Sequence, residues 1–127
     1  MSKVKFELEF PIHASPSMLY NCLATPSGLE EWFADRVNSR GKIITFMWDD
    51  SEEEAKILAK KVNERIKFKW TESEDDDSYF EFKIQVDPLT KDVAVIITDF
   101  ADDEDDVEEA KMLWENQIES LKHNIGA

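Results

Sequence analysis

The sequence predicts an α+β fold: one strand, two short helices, about six further strands joined as antiparallel hairpins, and a long C-terminal helix. Three observations carry this. Apolar residues alternate with polar ones in several short runs, the signature of half-buried strands. Two helix starts stand close together between Ala14 and Asp35. An apolar stripe at three- and four-residue spacing runs from Val107 to Ile125, the pattern of a helix packed on one face.

Phe6, Leu8, Phe10 and Ile12 alternate with Lys5, Glu7, Glu9 and Pro11, which predicts a first strand over 3–13. Ser15 before Pro16 is a strong helix start, a serine N-cap followed by proline at the first helical position. Met18, Leu19, Cys22 and Leu23 give that helix its apolar face, and Thr25-Pro26 stops it. Ser27-Gly28-Leu29-Glu30 has the form of a capping box and starts a second helix, with Leu29, Trp32 and Phe33 as its apolar residues. Two short helices cannot bury themselves, so they require a sheet.

Lys42–Trp48 is β-branched and aromatic and reads as a strand. Glu52–Glu64 has the composition of a helix, yet Ala55, Ile57 and Ala59 alternate, and we read it as a strand. Ile66, Phe68 and Trp70 alternate in Arg65–Trp70, and Phe80, Phe82, Ile84 and Val86 repeat the pattern after an acidic turn at Glu72–Asp77. Val93–Phe100 is the last strand. In the final helix Val107, Ala110, Trp114, Ile118, Leu121 and Ile125 define one face, early carboxylates suit the helix dipole, and Gly126 can end it.

A chain of 127 residues suits one domain, 1–127, with one core. The net charge of −14 excludes nucleic acid as a natural partner and disfavours anionic membrane surfaces. An acidic patch that recognises a basic partner protein is the sharper reading of that charge; solubility is the plainer one. Met1-Ser2-Lys3 runs directly into the first strand and no apolar run approaches a membrane span, so we expect a cytoplasmic protein without a leader.

No catalytic constellation stands out, and we expect neither a catalytic residue, a metal site nor a cofactor. The lone cysteine, Cys22, lies on an apolar face and reads as a small core residue. His13 and His123 are far apart in sequence and form no metal-ligand motif. The acidic run Asp99–Glu109 lacks the glycine and terminal glutamate of an EF-hand loop, and reads as a solvated helix start.

Two motifs carry a resemblance. The first comprises Ala14, Ser15, Pro16, Leu23, Pro26, Leu29, Trp32 and Phe33; the second is Trp114-Glu115-Asn116-Gln117-Ile118-Glu119-Ser120-Leu121-Lys122. Together they resemble the START-like superfamily (SRPBCC, birch-pollen-allergen-like), nearest the branch of the heat-shock chaperone ATPase activator-like proteins. Leu113 stands where that branch usually has a glycine, which predicts a different entry to the helix. The resemblance implies a helix-grip fold: a curved antiparallel sheet of six to seven strands, including an edge strand at Arg36–Arg40, closed over the C-terminal helix.

It also implies a cavity between sheet and helix that takes a hydrophobic or amphipathic small molecule without catalysis. By strand parity and position, Trp32, Phe46, Trp48, Phe68, Trp70, Phe82, Trp114 and Ile118 are the candidate cavity residues. The chaperone-activator branch implies a protein-interaction module as the alternative. A polyketide-cyclase-like enzyme is the third reading, and would need a buried ionisable side chain facing the cavity.

Overall fold

The computed structural model describes residues 3–73 and 76–126. Val4–Ile12 forms β1, Pro16–Ala24 α1, Pro26–Glu30 α2, Arg36–Arg40 β2 and Ile43–Trp48 β3. Ser51–Lys61 forms β4, Arg65–Trp70 β5, Phe80–Val86 β6, Val93–Ala101 β7 and Glu104–Ile125 α3. The seven strands make one curved antiparallel sheet in the order β1-β7-β6-β5-β4-β3-β2. The helix pair therefore carries the chain from one sheet edge to the other, and successive hairpins bring it back beside β1. Residues 74 and 75, part of the acidic turn expected at Glu72–Asp77, lie outside the described residues; Thr71–Ser73 form a short 3-10 turn.

β4 is a strand despite its helix-forming composition. Pairing with β3 on one side and β5 on the other satisfies its backbone and buries Ala55, a tertiary gain that outweighs weak local propensity. The expected alternation through Ala59 does not hold. A bulge between Ile57 and Ala59 shifts the register, so Ala59 stands opposite Lys67 on the outer face of the sheet.

The helix corner differs from the expectation in its caps. Thr25, not Ser27, starts α2: its hydroxyl accepts from the Gly28 N–H at 3.0 Å, and Pro26 fixes the first helical position. Thr25 also ends α1, so one extended residue serves both helices. The Glu30 side chain, freed from the capping-box role, instead accepts from the Val37 N–H of β2 at 3.0 Å. α2 ends at Glu30, and Trp32 and Phe33 sit in the turn beyond it, both buried. Met18 is exposed rather than buried, because the apolar stripe of α1 centres on Leu19 and Leu23 with Tyr20 and Ala24 on its flank. Cys22 is buried, as a core residue should be. Gly28 sets how closely the helices approach, since a Cβ there would lie 2.1 Å from the Asn21 carbonyl oxygen and 2.7 Å from Cys22 Cα.

α3 packs on the concave face. Asp103 caps it by accepting from Asp106 N–H at 3.1 Å, and Gly126 ends it in the left-handed region at φ 71°. Trp114, Ile118 and Leu121 are buried, with Val107, Ala110 and Ile125 packed at the margin. Leu113 lies within α3 and is exposed, so the missing glycine leaves the helix entry to Asp103. No helix among the described residues is long and apolar enough to cross a membrane.

Candidate functional site

Period-two alternation on β3, β5 and β6 puts Phe46, Phe68, Phe80 and Phe82 on the inner face, where all four are buried. Their rings fill the space between sheet and α3. Phe68 stacks on Phe80 with centroids 4.7 Å apart, and meets Phe46 and Phe82 edge-on at 6.1 and 6.0 Å. Trp114 descends from α3 onto Phe82 at 5.6 Å, and Ile118 follows one turn later. Trp70 stacks on Phe80 at 4.7 Å and stays half-buried. This layer is a ring-packed interior.

Phe33 links that interior to the surface. Its ring contacts Phe46, Phe80, Phe82 and Trp114 below, and Trp32 and Trp48 above. Over these three aromatic residues lies an open groove of about 540 Å³. One wall is the turn Glu30–Asp35; the other is the last part of α3, with Glu119, Ser120, His123 and Asn124. An Asn124 amide hydrogen bond to the Glu31 carbonyl ties the walls together at one point. The indole N–H of Trp32 donates to the Cys22 carbonyl at 2.8 Å, and that of Trp48 to the Phe33 carbonyl at 3.0 Å. Trp32 and Phe33 lie almost wholly beneath the groove floor and Trp48 is half-buried in it, while Glu30, Glu31, Asp35 and Glu119 are exposed around it.

The family model of the START-like superfamily domain matches residues 1–127. The chain belongs to the START-like superfamily. It is similar to the solution structure of BfR322 from Bacteroides fragilis, with 35% identity, a TM-score of 0.71, and coverage of 98% of this chain and 93% of that one. It is also similar to the Aha1 dimer from Colwellia psychrerythraea: 20% identity, a TM-score of 0.77, and 94% and 93% coverage. For CalU16 from Micromonospora echinospora the values are 15%, 0.73, 95% and 73%. The last two likenesses show the fold alone. No curated protein matches the sequence.

START-like domains typically bind hydrophobic ligands. In this member, the structure divides the eight expected cavity residues. Trp32 and Trp48 line the open groove, while Phe46, Phe68, Phe82, Trp114 and Ile118 pack in the interior and Trp70 closes its side. Phe33, which joins the two sets, was assigned only to a helix face by the sequence pattern. The groove's polar residues on α3 carry no motif, but their spacing at 119, 120, 123 and 124 marks a helical stripe beside the apolar face.

Asp99 corrects the reading of the acidic run. It shares the inner face of β7 with Val95 and Ile97, away from the solvated helix start. Its carboxylate accepts from the Trp114 indole N–H at 2.9 Å and from its neighbour's Phe100 N–H at 2.8 Å. Burial raises its pKa; the two hydrogen bonds and the charge of Lys3 act in the opposite direction. Strand parity alone would have found this residue. Among the described residues, no group of three His, Cys, Asp or Glu side chains is placed to hold a metal ion.

Proposed function

We propose that this START-like domain binds an apolar or amphipathic small molecule, without catalysis, at the mouth between the sheet and the end of α3. The observation that carries this reading is the groove of about 540 Å³ over Trp32, Phe33 and Trp48. That volume falls in the range of small-molecule sites, and such sites combine an apolar bed with a few polar groups. The ligand rests beside the half-buried Trp48 ring, over the edges of Trp32 and Phe33, and leaves its polar end among the rim residues. The deeper rings hold the floor rigid rather than receiving the ligand themselves.

A protein-interaction role is supported by a different surface, the outward face of α3, where Met112 and Leu113 are both more than half exposed beside acidic residues. A basic partner on that face would give association that weakens with salt.

The test is an amide-and-indole NMR titration with sterols, neutral lipids and aromatic polyketides. We expect saturable shifts at the Trp32 and Trp48 indoles and at the amides of residues 119–124, with smaller changes at Trp114. A panel in which no compound moves the two groove indoles would remove this reading.

A further inference from the structure

Resting on that reading of the groove, we infer that its ligand is a cation: an amphiphile or aromatic molecule bearing an ammonium or similar positive group, not a free fatty acid. Donors and acceptors around the groove are unequally supplied. Both indole N–H groups of the floor are consumed by backbone carbonyls, of Cys22 and Phe33. The Asn124 amide donates to the Glu31 and Ser120 carbonyls. Among the described residues, no lysine or arginine lines the groove. Among the described residues, the side-chain donors left in the groove lining to meet an anionic head are the Ser120 hydroxyl and the His123 ring.

Acceptors are in surplus. Glu30 uses one carboxylate oxygen on Val37 N–H and keeps the other. Among the described residues, no cation stands within ion-pair distance of Glu31 or Asp35, and Glu119 has only Lys122, at 4.0 Å. An anionic head placed here would lose its water without gaining charge-matched partners, whereas a cation would gain several. The partly exposed Trp48 ring favours the same choice, since the negative face of a ring attracts a positive group and repels a carboxylate. The net charge of −14 adds a long-range field of the same sign, concentrating cations near the mouth.

The experiment compares three eight-carbon probes below their micellar concentrations, each titrated into the full-length protein with NMR readout at the indoles. They are octyltrimethylammonium, octanol and octanoate. The expected result is that the cation shifts Trp32 and Trp48 with affinity about tenfold above octanoate, octanol falling between. In a variant carrying Glu31→Gln, Asp35→Asn and Glu119→Gln, octanol binding persists while the cation's advantage is lost. Equal affinity for all three probes would overturn the charge assignment and leave the groove as an apolar seat. A cation preference that survives in the triple variant would also overturn it, because the preference would then come from the general acidity of the surface. Failure of all three probes to move the groove indoles would count against the binding reading itself.

Discussion

The ring-packed interior and the open groove lie on opposite sides of one residue, Phe33, and they are built by different rules. Most interior rings come from strands and pack against one another with centroids 4.7–6.1 Å apart, and Trp114 joins them from α3. Groove positions come from the α2–β2 turn, the end of β3 at Trp48 and the last part of α3, with their charged groups facing water. Filling the interior makes it a structural element, and Trp48, at the groove, is the end of the aromatic stack left partly accessible. The difference teaches that aromatic richness in this fold does not by itself mark a ligand cavity; the exposed end of the aromatic stack does.

The largest test of this division is at the interior. Phe68→Ala removes a fully buried ring in contact with Phe46, Phe80 and Phe82, and should cost about 3–5 kcal/mol in chemical denaturation. A loss below about 1 kcal/mol would mean that the site collapses easily and that the interior is not close-packed.

The next test lies at the far end of the interior. Asp99→Ala leaves the buried Trp114 N–H without its acceptor and should destabilise the fold by about 1–3 kcal/mol. The penalty should also vary with pH. A carboxyl raised by burial contributes stability to the folded state below its ordinary pKa of about 4, and this is lost as pH rises through the folded value. Unfolding of wild type and variant at several pH values should therefore show their largest difference in acid, narrowing toward neutrality. A difference that grows with pH would show that the charged form is the one the fold prefers.

The smallest effect belongs to the groove rim. Glu119→Gln, on an exposed helix position with a 4.0 Å ion-pair partner, should change stability by less than about 0.5 kcal/mol in the same assay. A larger loss would make the rim part of the scaffold and blur the contrast between the two regions.

Most of the interior was legible because a strand's side chains alternate with a fixed period, so Phe46, Phe68 and Phe82 declare their face from sequence alone. The stripe of α3 is readable for the same reason at helical period. Asp99 was readable too, by parity with Val95 and Ile97, and was lost only because composition grouped it with the acidic residues after it. The groove is another matter. Its residues 31–35 follow no period, and their meeting with 119–124 depends on how α3 lies across the sheet, which no local pattern encodes. The caps were half legible: Thr25 was correctly placed as a stop but also acts as a start, because proline at the next position opens a new helix at once.

The bond from Glu30 to Val37 N–H reaches beyond the fold, to how molecules of this protein behave beside one another. β2 ends the sheet, and the exposed rim of a sheet is a template on which another chain can add a strand. With the amide of its second residue, Val37, occupied by a side chain of its own molecule, and Arg36 and Arg40 exposed at its ends, the template offers an intruder less to grip. The helix corner thus guards against aggregation while it shapes the groove wall.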